Sequence, residues 1–517
     1  MTAVNTSPLH LCILPGTDSM AAMRDSVSCL RHRPDAMVTI IQGGNRPEAV
    51  KLKKYIERRF GNTVNVTEAG ASSSLFTGDG QPDRNGGVIF LPAGDWLSDD
   101  ALDAIASAIE DRDADVVYVD EDSMGDRGQL EAPRFKSDAN YEYLAHYDYV
   151  GDLLCVRNSI LADYGGIDPI NYAASRYALL LRVFSDGRKI EHLARPLYHT
   201  RKKSESRPAA SILRSHFDSE DTGIEVLPAR NDTFRIKRPV RGRPRTTIVI
   251  PFRDRPRLLR QCLESILETT ENTDYDVLGV SNCSQSSDTY GVMEEFSSRG
   301  DRIRFVEHNV PFNFSALVNR GVELAAGDYI VLMNNDITVA EGGWLDAMLE
   351  YGQLDDVGVV GAKLLYPNGT VQHAGLSVQQ SEHVGHMHKN YPGESPGYMN
   401  RLICSQAVSA VTAALCLFSK DLHRMLNGFD EDRLGVAYND VDFCLRAQAL
   451  GRRNIFTPFA LAYHHESLSR GYEDTDSKRS RFEKERKRFW QYHQHLKGLP
   501  DPNYNPNLDQ YRDDFSY

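Results

Sequence analysis

Carboxylates in the second half of this 517-residue chain stand at spacings that suit chemistry. Asp440 and Asp442 lie two residues apart within Tyr438–Arg446, next to the apolar residues of that segment. An acidic pair that opens a helix is favoured by the positive end of the helix dipole, so it can be purely structural. A carboxylate in such a place can equally serve as a general base. The spacing alone leaves both interpretations open.

A third carboxylate and a histidine pair add to this set. Asn334-Asn335-Asp336 directly follows the apolar run Tyr329–Met333, and His464-His465 follows a predicted strand, Asn454–Thr457, and a loop. Open α/β sheets bind ligands at the carboxyl ends of their strands. A carboxylate oxygen and an imidazole suit Mg²⁺ or Mn²⁺ carrying a diphosphate. The pattern therefore predicts a divalent-cation site, although an isolated aspartate there can be only a turn residue.

Alternating apolar runs and helical patterns must position these groups. Such alternation begins near the N-terminus, and a second series begins at Thr247–Pro251. It predicts an α/β fold with mostly parallel sheets. Between the two series the chain becomes polar, then basic, with several prolines, which is typical of a connector. We expect domains over residues 1–202 and 246–474, a connector over 203–245, and a C-terminal helix and tail over 475–517.

The two series are copies of one pattern, which makes the chain an internal repeat. Three matches establish it: Asp95 with Asp336, Gly166-Ile167-Asp168 with Gly428-Phe429-Asp430, and Leu197-Tyr198-His199 with Ala462-Tyr463-His464. When Arg182 is set on Arg446, Arg176 and Ala178 fall opposite the two carboxylates of the second copy. The first copy keeps the apolar skeleton and lacks these acids, so we expect it to be degenerate.

Composition excludes several classes of protein. Apolar content of 41% and charged content of 25% are those of a globular protein. The net charge of −13 argues against a nucleic-acid partner. The eight cysteines form no C-x-x-C pair, which favours reduced thiols. We see no signal-peptide pattern, and the longest apolar stretch, Val408–Phe418, is too short to cross a bilayer. We expect a cytoplasmic protein, either free or peripheral at the inner face of the membrane.

Three motifs together resemble those of family-two glycosyltransferases, which are inverting enzymes of GT-A fold using nucleotide-sugar donors. They correspond to a metal motif, an acidic catalytic motif and a histidine motif: Asn334-Asn335-Asp336, Asn439-Asp440-Val441-Asp442 and His464-His465-Glu466-Ser467. The resemblance covers the second copy almost end to end. Similar two-domain bacterial enzymes of surface polysaccharide synthesis are described as rhamnosyltransferase-like. The resemblance implies two tandem, Rossmann-like GT-A domains, the first of them degenerate.

The resemblance also implies a role for each motif residue. Asp440 would be the base that takes the acceptor proton, and Asp336 with His464 would hold Mg²⁺ or Mn²⁺. The donor would be bound by Pro251, Arg253, Asp254, Ser281, Asn334, Asn335 and Lys363. The acceptor side or its loops would be supported by Asp442, His465, Trp344 and His373. In this chain a serine, Ser281, replaces the acidic residue that the family usually has beside the nucleobase.

Some residues keep a second interpretation. Trp344 can be a packing residue rather than an acceptor platform, and Asp254 with Arg253 can be a helix-starting pair. The basic segment Lys478–Lys497 carries aromatic residues and predicts a helix. That helix either lies on an anionic membrane or packs, solvated, on its own domain. Four histidines, at positions 373, 383, 386 and 388, predict a loop lining the acceptor side rather than a second metal site.

Together these features predict an inverting glycosyltransferase of bacterial surface polysaccharide synthesis, such as O-antigen or cell-wall assembly. It would transfer a sugar from a nucleotide-diphosphate donor to a glycan or lipid-linked acceptor. The first copy would be a scaffold, a homodimerisation surface or an acceptor-binding module. One alternative is a non-catalytic nucleotide- or glycan-binding protein. Another is a bifunctional enzyme in which Asp95 and His199 still support chemistry.

Overall fold

The computed structural model describes residues 9–15, 20–33, 35–42, 46–68, 84–125, 127–201, 210–218, 223–271, 274–465 and 475–517. The chain forms two compact units. The first comprises Met1–Asp221 with Val226–Phe234, and the second comprises Thr222–Glu225 with Arg235–Tyr517. Each unit contains one large sheet and its helices, so the predicted α/β fold is confirmed.

The first unit alternates strands and helices along its length. Its strands are β1 His10–Leu14, β2 Met37–Gln42, β3 Val64–Glu68, β4 Gly87–Pro92, β5 Trp96–Leu97, β6 Val116–Met124, β7 Leu130–Arg134, β8 Leu154–Arg157 and β9 Ile190–Thr200. Its helices are α1 Met20–Ser26, α2 Arg46–Phe60, α3 Ala101–Glu110, α4 Tyr141–His146, α5 Asn158–Tyr164, α6 Tyr172–Ser185 and α7 Ala210–Asp218. Two short strands follow, β10 Glu225–Pro228 and β11 Phe234–Lys237.

The second unit repeats this alternation and adds a C-terminal helix. Its strands are β12 Thr246–Phe252, β13 Tyr275–Ser281, β14 Ile303–Glu307, β15 Tyr329–Met333, β16 Ile337–Val339, β17 Val357–Leu365, β18 Val371–His373, β19 Leu376–Val378, β20 Val384–His386, β21 Gln406–Val408, β22 Leu415–Ser419 and β23 Arg453–His464. Its helices are α8 Pro256–Thr269, α9 Ser287–Ser298, α10 Phe314–Leu324, α11 Trp344–Gly352, α12 Lys420–Met425, α13 Asn439–Ala449 and α14 Asp476–Tyr492.

The strand order of the two sheets is the same. The first sheet runs β3-β2-β1-β4-β8-β6-β9-β5, and the second runs β14-β13-β12-β15-β22-β17-β23-β16. In the second sheet β14, β13, β12 and β15 are parallel, whereas β22 is antiparallel to both of its neighbours. Matching pairs in the first sheet have matching directions. This shared topology is the structural form of the repeat seen in the sequence.

Burial explains why these segments form strands and helices. Every residue of β12 is buried, as expected for a central parallel strand covered on both faces. The following helix α8 begins at Pro256, whose fixed φ suits the first helical position. Its residues Leu259, Leu263 and Ile266 recur at helical spacing and belong to the buried core of the second unit. The sheet is thus held rigidly beneath the strand ends that carry the candidate site.

The last strand of the second sheet is longer than the sequence indicates. A strand is expected only at Asn454–Thr457, but β23 continues to His464 after a register shift against β17. The shift falls around Pro458, which interrupts the ladder as proline does at a bulge. His464 is therefore the last residue of a strand and not part of a loop.

None of the described helices combines the length and the apolar character needed to cross a membrane.

Candidate active site

Asp336 and His464 meet because of strand register. The short strand β16 follows the Asn334–Asp336 turn and pairs with β23 so that Ile337 lies opposite His464. This pairing places His464 Nε2 3.2 Å from Asp336 Oδ1. Both side chains are buried, with 2% of Asp336 and 6% of His464 exposed. The backbone amide of His465 also donates to the Asp336 carbonyl at 2.9 Å, which fixes the turn against the strand end.

The polar atoms beside this pair suit a cation. Among the described residues, the buried polar atoms without a hydrogen-bond partner include His464 Nδ1, a nitrogen that can bind a cation, and Asn335 Nδ2, an amide donor that suits an anion such as a phosphate. No cluster of three or more His, Cys, Asp or Glu side chains with the arrangement of a metal site occurs in the described ranges. Asp336 and His464 therefore fit a divalent cation that takes its remaining ligands from water or phosphate oxygens, as Mg²⁺ does.

Asp440 lies in the first turn of α13, where two backbone amides hold its carboxylate. The Ala413 amide donates to Asp440 Oδ2 at 3.2 Å, and the Val441 amide donates to Oδ1 at 2.9 Å. The side chain is only partly buried. A carboxylate that is oriented by amides and still reached by solvent can accept a proton from a bound hydroxyl.

One short segment, residues 412–414 ahead of β22, connects the separate motifs. The amide of its first residue donates to His373 Nε2 at 3.4 Å, and that of its second residue donates to Asp440. The carbonyl of its third residue accepts from the Asn334 amide at 2.9 Å. Three motifs far apart in the sequence thus share one stretch of backbone. Local sequence patterns do not indicate this segment's role, because its residues are small and bind through backbone atoms.

Asp442 serves the fold and not the chemistry. It is fully buried, and its oxygens accept from Arg446 Nε at 2.8 Å and contact His493 Nε2 at 2.9 Å. Arg446 also donates to the carbonyls of Leu426 and Gly428. The carboxylate therefore joins α13, the loop before it and the end of α14. In this geometry Asp442 orients the residues around it.

Asp442→Ala should destabilise the second unit strongly. Removing the carboxylate leaves the partly buried Arg446 and the buried His493 without their shared partner, and breaking a buried charge pair typically costs about 3–5 kcal/mol. Urea unfolding at neutral pH would measure the loss. Asp421→Ala is the matched control, since Asp421 is exposed and pairs only with Arg424 on its own helix turn. Equal stabilities of the two variants would contradict the anchoring role.

His373 is placed beside the candidate cation pair, as part of a buried imidazole contact. Its Nδ1 lies 3.0 Å from His386 Nδ1, while its Nε2 accepts from backbone amides. Burial lowers the pKa of His373 well below its ordinary value, and His386 and His464 nearby lower it further. A neutral imidazole that accepts at Nε2 must carry its proton on Nδ1. His373 is therefore a neutral support for the segment at 412–414.

The other predicted loop histidines hold the C-terminal tail. His383 lies 3.1 Å from a carboxylate oxygen of Asp513, and this partner raises the pKa of His383. His388 is buried and stacks on Phe515 with ring centroids 4.3 Å apart. Neither interaction needs a metal. The tail is thereby fixed on the residues that flank β20 on both sides.

Stability should fall as the pH is lowered below about 6.5, partly because of His388. Burial lowers its pKa well below the ordinary value, with Arg401 and Lys363 adding to the effect. The unfolded chain takes up a proton near pH 6.5 and the folded chain does not, so acid favours unfolding by up to about 1.4 kcal/mol per pH unit per histidine. Urea unfolding from pH 7.5 to 5.5 should show a smaller slope for His388→Asn. Asparagine is chosen because it suits the left-handed backbone at this position (φ 58°). An unchanged dependence of stability on pH would contradict the role given to His388.

Among the predicted donor residues, those after β12 lie at the expected edge. Pro251 is buried in the strand, and Arg253 is exposed directly after it. The Asp254 carboxylate accepts from the amides of Gln285 and Ser286 at 2.8 Å, and these bonds lower its pKa. Asp254 therefore fixes the loop after β13, which is a positioning role.

Two predicted donor residues turn inward to partners within the unit. Ser281 is fully buried and donates to Ser284 Oγ at 2.9 Å. Lys363 is buried, and its ammonium donates to the carbonyls of Gly393 and Leu402 at 2.8 and 3.2 Å. It anchors a loop and does not face a phosphate. Sequence alone could not separate these cases, because buried and exposed positions alternate at strand ends.

Corrections also apply on the acceptor side. Trp344 is buried in the core, and its indole donates to Thr270 Oγ1 at 3.0 Å, so the platform interpretation is wrong and the packing one holds. His465 Nε2 lies 3.2 Å from Thr338 Oγ1, which makes it a support of the turn. Glu466 and Ser467 lie outside the described residues.

Helix α14, the predicted basic helix, packs on its own unit. Its aromatic residues Phe489 and Trp490 are buried, and Phe489 stacks on Tyr438. These two rings are therefore used in packing within the unit. The interpretation of a charged helix packed on its own domain fits these contacts.

Two residues of the segment 311–315 hold the loop that leads into α13, a role that local sequence patterns do not show. Asn313 caps α10 and donates to the Glu431 carbonyl at 2.8 Å. Ser315 Oγ donates to the Leu434 carbonyl at 2.6 Å. Both residues fix the loop that leads into α13. An asparagine just before an apolar helical run signals a cap, but its long-range partner cannot be inferred locally.

The equivalent positions of the first unit are satisfied internally. β5 pairs with β9 so that Trp96 lies opposite His199, which makes Asp95 and His199 the counterparts of the second unit's pair. Asp95 accepts from the Tyr198 hydroxyl at 2.5 Å, and His199 lies between Asp122 and a serine hydroxyl.

The counterpart of the base is also replaced by a buried ion pair. Arg176 in α6 binds the carboxylate of Asp148. Arg182 Nη1 donates to the Tyr164 carbonyl as Arg446 Nη1 does to Leu426, which supports the alignment of the two helices. The skeleton of this region persists in the first unit without groups free for chemistry at these positions.

Comparisons with known proteins give a family model that matches within the second unit and two relatives that align over most of the chain. The family model described as "Glycosyl transferase family 2" matches residues 247–426. An uncharacterized protein, y4gI, from Sinorhizobium fredii (strain NBRC 101917 / NGR234) is 35% identical over 453 residues, covering 84% of this chain and 49% of the relative. The O-antigen biosynthesis protein RfbC from Myxococcus xanthus is 32% identical over 434 residues, covering 81% of this chain and 34% of the relative.

The chain thus spans about half or less of the length of these relatives. A solved structure with partial similarity is the mannosyltransferase PcManGT from Pyrobaculum calidifontis in complex with GDP-Man and Mn²⁺. It is 16% identical with a TM-score of 0.37, and the match covers 52% of this chain and 68% of that one.

Proposed function

Because the chain belongs to glycosyl transferase family 2 through residues 247–426, we propose that its second unit is an inverting glycosyltransferase. It would transfer a sugar from a nucleoside-diphosphate donor to a hydroxyl of a glycan or lipid-linked acceptor. The named relative of O-antigen biosynthesis favours a place in bacterial surface polysaccharide synthesis. Such work suits a cytoplasmic protein or one peripheral at the inner face of the membrane.

The observation that carries this proposal is the backbone segment 412–414. It brings Asp440 together with the turn that ends in Asp336 and, through β16, with His464. A candidate base and a candidate cation-binding pair then stand at the carboxyl edge of one sheet, where α/β folds bind nucleotides. Taken alone, Asp440 could be only a residue at a helix start, and Asp336 could be only a turn residue.

Asp440 would act as the general base. The acceptor oxygen forms a bond to the anomeric carbon while the bond from that carbon to the diphosphate oxygen breaks, and the hydroxyl proton passes to an Asp440 oxygen. A single displacement inverts the anomeric configuration. The amides of Ala413 and Val441 orient the carboxylate for this transfer. A positioned base typically contributes about 10²–10⁴-fold in rate.

Asp336 and His464 would hold Mg²⁺ or Mn²⁺. When bound, the cation would offset the negative charge that develops on the leaving diphosphate. Asn334 and Arg253, at the ends of neighbouring strands, would line the donor side. Asp254 would keep the loop after β13 in place for the nucleoside.

The first unit would be a non-catalytic scaffold, a homodimerisation surface or an acceptor-binding module. Support comes from Asp95, His199 and Arg176, which all have partners within the unit. The bifunctional alternative predicts that Asp95→Ala changes at least one product. Unchanged products with every donor would remove that alternative.

A donor panel tests the proposed function. UDP-, GDP- and dTDP-linked sugars would be incubated with Mg²⁺ or Mn²⁺, with and without chelator, and nucleotide release would be measured. Chelator-sensitive release from one donor is expected. Saturable binding without turnover of any donor would instead support the alternative of a non-catalytic nucleotide- or glycan-binding protein.

A further inference from the structure

Helix α14 lies outside the residues matched by the family model, yet it contacts the segment that carries Asp440. We call residues 436–442 the lead segment, since they run into and through the first turn of α13. Glu485 is buried, and its Oε2 accepts from the Ala437 amide at 2.6 Å and the Val436 amide at 3.3 Å. A buried carboxylate on two amides is a strong, oriented anchor.

A second contact holds the residue that begins the turn into α13. Tyr438 has a φ of 60°, a left-handed conformation that is unfavourable for a residue other than glycine. Its ring stacks on Phe489 of α14, with centroids 4.9 Å apart and an interplanar angle of 28°. The stack keeps this conformation in place immediately before the helix.

A third contact fixes the far end of the lead segment. His493 follows α14 directly, and its Nε2 lies 2.9 Å from Asp442 Oδ1. Asp440 therefore sits between Ala437 and Asp442, each of which is tied to the α14 region. In the first unit the corresponding part of α6 is held otherwise, by the buried Arg176–Asp148 pair.

We propose that Glu485 and His493 are positioning residues for Asp440. Their contacts fix the start of α13, so that the Asp440 carboxylate stays aligned with the Ala413 amide and the acceptor hydroxyl. This inference rests on the proposed function of Asp440 as the base. A misplacement of the base by about 1 Å can lower the rate about 10²-fold. Residues of α14 and the position after it would therefore affect catalysis through the position of Asp440.

Kinetics of matched variants test the proposal. Glu485→Ala should lower kcat about 10- to 100-fold and leave KM for the donor unchanged, since the Asp336–His464 pair is untouched. Glu485→Gln keeps an acceptor oxygen and should restore most of the rate. Glu483→Ala is the control, because Glu483 is exposed on the same helix and pairs with Arg486. His493→Ala should act like Glu485→Ala, whereas His495→Ala, at an exposed imidazole two residues on, should act like wild type.

Two further measurements separate positioning from general damage. In an Asp440→Asn background, Glu485→Ala should cause no further loss of kcat, because its effect passes through Asp440. Hydrogen exchange of the intact protein should show faster exchange across the lead segment in Glu485→Ala and His493→Ala. This second readout requires no donor, and it also applies to the milder Glu485→Gln if Glu485→Ala does not fold.

The outcomes are distinguishable. Unchanged exchange in the lead segment, or an unchanged kcat in both Glu485→Ala and His493→Ala, overturns the inference. A further loss of kcat when Glu485→Ala is added to Asp440→Asn also overturns the inference, since it shows that Glu485 affects the rate without acting through Asp440. A fully active Asp440→Asn, or no turnover of any donor, refutes the proposed function, and the inference falls with it. Faster exchange in that case would show that the anchor exists and that the assignment of the base is at fault.

Discussion

Asp440→Asn is expected to lower kcat about 10²–10⁴-fold, with KM for the donor unchanged. Asparagine has the same shape and retains an acceptor for the Ala413 amide, but it cannot take a proton from the acceptor hydroxyl. The loss should therefore fall on the chemical step and not on donor binding. Initial rates across donor and acceptor concentrations, with the donor found in the panel, would measure it.

Asp421→Asn provides the control for this variant. Asp421 is also an acid in the first turn of a helix in the second unit, but it is exposed and pairs with Arg424. It should leave the rate unchanged and should report any general effect of losing a carboxylate at a helix start. If Asp440→Asn retained more than a tenth of the wild-type kcat, Asp440 would not be the general base.

The fold was predictable because each copy repeats the same apolar skeleton. The match between Arg182 and Arg446 is visible in sequence, and both guanidiniums donate to the carbonyl two residues before an equivalent glycine. The skeleton persists where Arg176 replaces Asp440, so folding alone does not require an acid there. That contrast favours a chemical explanation for Asp440.

The extent of the last strand was not predictable. Pro458 indicates an end to β23 by local rules, but the strand resumes beyond it because Leu461, Ala462 and Tyr463 pair with β17. Tertiary pairing overrides the local signal. As a result His464 stands on a strand, and its distance to Asp336 follows from register.

Parts of the site were invisible for a different reason. Ser281 and Lys363 occupy the places that family resemblance assigns to donor contacts, yet each turns inward to a partner that sequence cannot identify. Asp442 and His493 are 51 residues apart, and no periodicity connects them. Charge along α14 predicts a helix with a solvated face. Only packing shows that Glu485 is buried against the lead segment.

Asp336→Asn is expected to reduce kcat/KM by about 10²–10³-fold, since cation stabilisation of developing charge is worth several kcal/mol. Asparagine is nearly the same size and should preserve the buried turn, but its neutral oxygen is a weaker ligand than a carboxylate for Mg²⁺ or Mn²⁺. Differential scanning fluorimetry with Mn²⁺ and a nucleoside diphosphate should show a rise in Tm for wild type that is lost in the variant. His464→Gln should follow the same direction, because the two side chains meet at 3.2 Å.

Asp328→Asn is the matched control, since Asp328 is exposed just before the opposite end of the same strand, β15. It should keep both the rate and the Tm rise produced by Mn²⁺ with nucleotide. An Asp336→Asn enzyme that remains chelator-sensitive with wild-type kcat/KM would show that the cation is held elsewhere. An enzyme that loses rate but keeps the full Tm rise would assign Asp336 to the alignment of the Asn334–Asp336 turn instead. The Asn334 amide donates to the segment at 412–414, whose next amide toward the N-terminus holds Asp440. That outcome would therefore mean that the turn acts on the rate through the position of Asp440.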